Sequence, residues 1–340
     1  MLIRKIEKKE YKNKARINNF FAGVIIELTS VCNFKCIHCY NDVAYKYIGQ
    51  QNIDIIIKRL NELGVVFVTL TGGEVTMHPY FEEIYIKLRK EGFLVSIYTN
   101  ASRLHLYIET IIKYKPYMIS LSLYGLSEEN YDFFTGTKVF DQVKSNICLF
   151  NKTVNIEIKV LVNKYNINLV MSGQYQKFID KFGVSNVFYD PFLFITKNGN
   201  INPIKYRISP KEAAWILNKY NRISCEIIRE KSPIDFYCEN GNTYFNIDVD
   251  SNCSICMKDK KKINITKNKD DISLFLRKRA NEIKIKAQTL RCVNCKCNLA
   301  CGWCPIEFEY DLERNEEESY ICKVRHEFMK LQRMNSRNLE

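Results

Sequence analysis

The chain has 340 residues, 46% hydrophobic and 26% charged, with a formal net charge of +13 and a pI near 9.0. That balance excludes a disordered chain, leaves room for one large domain plus a small one, and favours an acidic partner. No apolar run is long enough to cross a bilayer, and the N-terminus MLIRKIEKKEYKNKAR is too charged for a secretory signal. The expected location is therefore the cytoplasm, where fourteen cysteines argue for metal ligation and not for disulfides.

In chain order, residues 1–22 read as a short basic arm. From Gly23 to about Asp190, apolar β-type runs alternate with amphipathic helical stretches. The pattern predicts strands at 23–29, 65–71, 93–99, 117–123, 154–162 and 186–190. It places helices near 52–63, 80–91, 103–113, 138–150 and 168–181. Six such units make an open or partial (β/α)6 barrel over 23–195. Glu27 with Thr29, Ser120 with Ser122, and Glu157 with Lys159 each fall on one face of a strand. Under helices the other face is apolar, so these polar residues are expected to point into a polar lumen, unless the strands are wetted edges.

Residues 196–235 form a connector with one helix at 210–221. Ten of the fourteen cysteines lie at or beyond Cys225, where the strand–helix rhythm ends. Residues 236–330 therefore predict a smaller unit with a metal-based core, followed by a tail at 331–340. The run KDKKKINITKNK, Lys258 to Lys269, is either a solvated loop or an attractor for an acidic partner.

The strongest signal is TSVCNFKCIHCY, Thr29 to Tyr40, directly after the first apolar run. Cys32, Cys36 and Cys39 stand in C-x3-C-x2-C spacing, so a short loop can converge three thiolates. Three is one too few for a closed zinc site, whereas a cubane iron–sulfur cluster on three cysteines keeps one iron open. One strand later comes Leu70-Thr71-Gly72-Gly73-Glu74. Its two glycines allow close backbone approach to a ligand, and Glu74 ends a strand at the functional face of such barrels. A plain turn is the alternative. Strands three and four end in Tyr98-Thr99-Asn100 and in Ser122, polar tips suited either to a ribose or to capping a turn.

Together these residues resemble the radical S-adenosylmethionine superfamily, with His38 as the aromatic-type residue before the last cysteine. The resemblance implies that Cys32, Cys36 and Cys39 hold a [4Fe-4S] cluster. One electron from it cleaves S-adenosylmethionine to methionine and a 5′-deoxyadenosyl radical, which takes a hydrogen atom from substrate. Gly72, Gly73 and Glu74 would then bind the methionyl amine. Thr99, Asn100 and Ser122 would meet ribose and methionine, and Lys159 the methionine carboxylate or the substrate.

The C-terminal cysteines resemble the SPASM extension with two auxiliary [4Fe-4S] clusters. Cys292, Cys295, Cys301 and Cys322 would close one. Cys238, Cys256 and Cys304 would hold the other, its fourth position taken by Cys253 or left open to substrate. Ser251 stands where that pattern has Gly, and Cys301–Cys304 is one residue shorter than usual. Zinc sites are the competing reading, and Cys148, Cys225 and Cys297 receive no role.

The resemblance implies oxidative maturation of a ribosomally made peptide or small protein, by a thioether or carbon–carbon cross-link. An electron donor of flavodoxin or ferredoxin type is implied with it. With 22 residues ahead of the first strand, a leader peptide would dock on the barrel, on the second unit or on a separate leader-binding protein. Formylglycine formation of the anaerobic sulfatase-maturase type is the alternative, although those enzymes place Asp where this chain has Met257. An RNA-binding or RNA-modifying protein fits the charge, but no basic stripe interleaved with aromatics supports nucleic acid.

Overall fold

The computed structural model describes residues 8–41, 44–220, 240–268, 271–288, 306 and 319–337. Six strands lie parallel in sequential order: β1 (Gly23–Thr29), β2 (Phe67–Gly72), β3 (Leu94–Thr99), β4 (Met118–Ser122), β5 (Ile156–Leu161) and β6 (Asn186–Asp190). Every step from β1 to β6 is a parallel neighbour pairing, which requires a crossover on one face each time. The chain thus forms the expected partial barrel.

The helices show why. α2 (Gln50–Glu62) buries Ile53, Ile56, Ile57 and Leu60, and α3 (Phe81–Lys90) buries Phe81, Ile84, Tyr85 and Leu88. Both sets follow the i, i+3, i+4, i+7 spacing that puts one apolar stripe on a sheet. Gly64 and Gly92, at φ 72° and 93°, stop these helices in the left-handed conformation and turn the chain into the next strand. Val24, Ile26 and Leu28 of β1 are at most 1% exposed beneath this helical layer. Each such side chain contributes about 1.5–3 kcal/mol by leaving water.

The opposite face of the sheet is polar, as the strand alternation predicts. Ser120 Oγ donates to Glu157 Oε1 at 2.7 Å, and Lys159 Nζ lies 3.7 Å from the same oxygen and 3.9 Å from the Tyr98 ring centroid. Three neighbouring strands are thereby linked through one polar cluster.

Three features go beyond the pattern read from sequence. Lys8–Ile17 of the basic arm is an α-helix, α1, at the N-terminal end of the strands. Tyr11 packs edge-on to Phe20 and Phe67, and Lys8 Nζ stands 5.6 Å from both the Phe67 and Tyr244 rings. Second, β7 (Tyr244–Ile247) pairs parallel to β1, and β8 (Asn252–Ser254) and β9 (Ile263–Asn264) continue antiparallel from it. The start of the cysteine-rich segment therefore extends the barrel's own sheet. Third, α5 (Glu128–Thr135), capped by Ser127 and ended by Gly136 at φ 65°, follows β4. At eight residues it is too short to stand out by periodicity.

Candidate functional site

The three cysteines of the first motif sit on the loop leaving β1, at the C-terminal end of the sheet. Cys32 and Cys39 are exposed and Cys36 is half-buried. The loop is pinned from outside the strand layer by α5, since Lys35 N donates to Thr135 O (2.8 Å) and Ile37 N to Phe134 O (3.1 Å). Although the residue is exposed, the surrounding loop desolvates the Cys32 sulfur and pushes its thiol up to about 11, with the charges of Glu74 and Cys39 adding to the rise. Cys36 is pushed well above the ordinary thiol value by burial, then by Cys39 and Cys32. The three sulfurs are thus near enough to oppose one another's ionisation. Such thiols lose their protons to a cationic group, which fits an iron–sulfur cluster. Among the described residues no three His, Cys, Asp or Glu side chains gather round a single point.

His38 is buried beside Tyr124 (5.1 Å between rings) and Phe134 (6.4 Å), and burial lowers it to about 4, so it is neutral. It wedges the loop against α5.

Gly72 and Gly73 have a first duty that sequence alone did not reveal. A Cβ on Gly72 would stand 2.2 Å from Thr29 O, and one on Gly73 would stand 2.4 Å from Val31 O. The glycines admit the backbone of the cysteine loop itself, which they bind through Gly73 N to Thr29 O (2.7 Å) and Glu74 N to Val31 O (2.8 Å). The close approach expected towards a ligand is thus made first to the chain.

Glu74 is 1% exposed and accepts four hydrogen bonds. Its Oε1 takes Thr76 N (3.1 Å), Thr76 Oγ1 (2.6 Å) and Thr99 Oγ1 (2.7 Å), and its Oε2 takes Asn100 N (2.7 Å). Asn100 in turn donates from Nδ2 to Asn33 Oδ1 (2.9 Å), and Asn33 Nδ2 donates to Ser102 Oγ (3.0 Å). One network joins Glu74, Thr99 and Asn100, as expected, to Asn33 inside the cysteine loop. Asn33, Thr76 and Ser102 were missed; nothing in their local sequence distinguishes them from ordinary turn residues. Ala101, next to this network, is fully buried at φ 65°, a strained conformation for a residue with a Cβ.

Ser122 reaches the end of β4 half-buried, near the Tyr124 hydroxyl, and pairs in register with Lys159. Both face the lumen rim. Also at the mouth, Lys197 Nζ lies 2.6 Å from Glu27 Oε2, and Glu27 Oε1 is buried without a hydrogen-bond partner among the described residues. Lys197 N donates to Tyr40 O (3.0 Å), and the Tyr40 hydroxyl reaches Met257 Sδ at 3.5 Å. Tyr40 therefore connects the residue after Cys39 with the residue after Cys256.

Of the C-terminal cysteines, Cys253, Cys256 and Cys322 are described. Cys253 is fully buried in the hydrophobic core on β8, its thiol pushed up by burial and by Asp248. Those are the surroundings of a packed structural thiol. Cys256 is half-buried on the following turn. Cys322 is half-buried in the first turn of Tyr320–Arg337, where its N–H donates to Ser319 Oγ (3.2 Å). Cys225, Cys238, Cys292, Cys295, Cys297, Cys301 and Cys304 lie outside the described residues.

Residues 26–164 match the Radical SAM superfamily. The chain carries a radical SAM domain. Its matched span contains the cysteine loop, the Gly72–Glu74 turn and the ends of β3 to β5. Among curated proteins, this chain is 28% identical to a probable GTP 3',8-cyclase of Pyrococcus horikoshii, over 36% of the chain and 40% of that relative. It thus spans about two fifths of that relative's length. It is 33% identical to the antilisterial bacteriocin subtilosin biosynthesis protein AlbA of Bacillus subtilis, over 33% of the chain and 26% of AlbA. In fold it is similar to Streptococcus suis SuiB bound to its precursor peptide SuiA, at TM-score 0.68 and 16% identity, covering 92% of this chain and 79% of SuiB. It is likewise similar to native anSMEcpe with bound AdoMet and Cp18Cys peptide, at TM-score 0.68 and 19% identity, covering 94% of this chain and 98% of that one.

Proposed function

We propose that this chain is a radical SAM enzyme that oxidatively modifies a peptide or small protein, by a thioether or carbon–carbon cross-link. The observation that carries the radical chemistry is the network from Glu74 through Asn100 to Asn33, which fixes the cofactor-binding turn against the cysteine loop. In this reading Cys32, Cys36 and Cys39 hold a [4Fe-4S] cluster that supplies one electron to S-adenosylmethionine. The protein binds, orients and excludes water. Glu74, with Gly72 and Gly73, receives the methionyl amine on the spare capacity of Oε2. Thr99, Asn100, Ser122 and Lys159 line the remainder of the cofactor.

The peptide part is supported by the fold similarity, which continues past the barrel into the segment bearing Cys256 and Cys322, to two proteins seen with peptides. Auxiliary clusters on Cys292, Cys295, Cys301, Cys322 and on Cys238, Cys256, Cys304 would accept the electron left on the substrate. The burial of Cys253 favours an open fourth position on the second. Formylglycine formation is disfavoured by Met257, because a thioether with no acid–base group stands beside Tyr40 where those enzymes place Asp.

The test is anaerobic reconstitution of the full chain. It should carry about 12 irons, and Cys32, Cys36 and Cys39 changed together to Ala should remove about four of them and abolish 5′-deoxyadenosine formation. Incubation with a candidate peptide, taken from any small open reading frame found beside this gene, should remove two hydrogens per cross-link by mass spectrometry. Stoichiometric zinc without iron would overturn the cluster. Turnover of GTP with no change in the peptide would overturn the substrate class.

A further inference from the structure

A separate hollow of about 510 Å³ opens between α5 and the residues after β5, within the roughly 300–1,000 Å³ typical of small-ligand sites. Its walls include Phe133, Phe134 and Tyr165, and its rim carries Glu129 and Asp132. Phe133 is 51% and Tyr165 56% exposed, an open display of large rings that a protein surface usually covers. The rings stand edge to face, Tyr165 at 4.8 Å from Phe133 and 6.0 Å from Phe134.

Two observations say what fits there. In a chain of net charge +13, the hollow is edged by two carboxylates that form no ion pair among the described residues. Tyr175, which also lines it, is fully buried, and its hydroxyl has no hydrogen-bond partner of normal geometry among the described residues. The Asn166 amide beside it donates from Nδ2 to Leu161 O (2.8 Å) and accepts on Oδ1 from Asn163 N (2.8 Å). Aromatic faces, carboxylates and an unmet hydroxyl suit a cation on an apolar stem.

We propose that this hollow docks an arginine or lysine side chain of the peptide that the enzyme modifies, an inference resting on the peptide reading above. The placement is apt. The carbonyls of Phe134 and Thr135, at the end of the same helix, hold Ile37 and Lys35 of the cysteine loop. A residue docked here anchors the peptide one helix away from the reacting centre.

The experiment titrates the reconstituted enzyme, by saturation-transfer NMR, with acetyl-Gly-Arg-Gly-amide and with its citrulline analogue, which keeps the shape and loses the charge. The arginine peptide should bind about ten-fold more tightly. Glu129→Gln with Asp132→Asn should erase that preference, and Tyr165→Ala should weaken both peptides. Formation of 5′-deoxyadenosine without peptide should stay unchanged in all variants. Equal binding of the two probes, or a preference that survives the double variant, overturns the proposal. So does modification of the candidate peptide with an unchanged KM in these variants, which leaves the peptide reading intact. An arginine preference alongside no modification of any peptide overturns the peptide reading instead.

Discussion

Glu74 does structural work beside the cofactor-binding role proposed for it. Its buried carboxylate meets four donors, three of them on Oε1, so capacity for a further donor remains on Oε2. Glu74→Gln turns one acceptor into a donor facing donors. A buried donor left unmet costs about 1–3 kcal/mol, so the variant should melt several degrees lower. If Oε2 also receives the methionyl amine, S-adenosylmethionine affinity should fall by roughly 10- to 150-fold, since charge-assisted hydrogen bonds contribute about 1.5–3 kcal/mol. Calorimetric melting and equilibrium binding on the same sample separate the two duties. Lower melting with unchanged affinity would confine Glu74 to holding the turn.

Between elements, His78 does comparable work at the edge of the site. Its Nδ1 accepts from Tyr80 N (3.1 Å), so the ring proton sits on Nε2 and donates to Ile48 O (3.0 Å). The neutral ring joins the segment entering α2 to the segment entering α3. Burial lowers its pKa, against a smaller opposing effect of the Ile48 carbonyl. A histidine more easily protonated when unfolded contributes stability above its unfolded pKa of about 6.5. That stability is lost as pH falls from there towards the lowered folded value. Stability of the wild type against urea should therefore weaken as pH falls below about 6.5, by up to about 1.4 kcal/mol per pH unit from this group. His78→Gln should start less stable and show a shallower decline. Parallel pH profiles for the two proteins would show that His78 is not the titrating group.

For the whole molecule, the decisive feature is where the excess positive charge goes. Lys8 and Lys12 stand over the Tyr244 ring at 5.6 and 5.5 Å, Lys197 on Glu27, and Lys258 over the Phe194 ring at 3.6 Å. Lys261 pairs with Glu282 and Lys262 with Asp248, both at 2.8 Å. The lysine run expected to attract a peptide thus has internal work, fastening the cysteine-bearing turn to its surroundings. The firmest of these ties is Arg279 on Asp259, at 2.9–3.2 Å with both side chains at most 8% exposed. Arg279→Met would leave the buried Asp259 carboxylate without its counter-charge, still accepting from Lys261 N (3.2 Å), at a cost of about 3–5 kcal/mol. Because Asp259 N donates to Cys256 O (3.1 Å), the loss should fall on auxiliary iron. Reconstituted protein should carry about four fewer irons while still cleaving S-adenosylmethionine. Adding Asp259→Leu should recover part of the stability, and full iron in the single variant would refute the link.

Local chemistry was enough to read much of this protein. The period-2 and 3.6-residue patterns located all six barrel strands and the longer helices between them, though not α5, because each strand and helix buries its own apolar face. The cysteine spacing and the Gly-Gly-Glu turn marked the site because few other uses need those residues so close together. Ser251 illustrates the limit. It departs from an expected glycine, yet takes the left-handed conformation at φ 63° that makes glycine the usual choice, and accepts a hydrogen bond from Asn52 Nδ2 (3.3 Å). Sequence could flag the position but not how serine tolerates it. Contacts between distant segments were decided only in three dimensions. Tyr244 of β7 lies 221 residues after Gly23 of β1 in sequence and yet pairs with it, Asn33 meets Asn100, and Tyr40 meets Met257. The reason is physical. Periodicity records which face of a segment avoids water, whereas a hydrogen bond between two remote polar residues leaves no repeat in either stretch of chain.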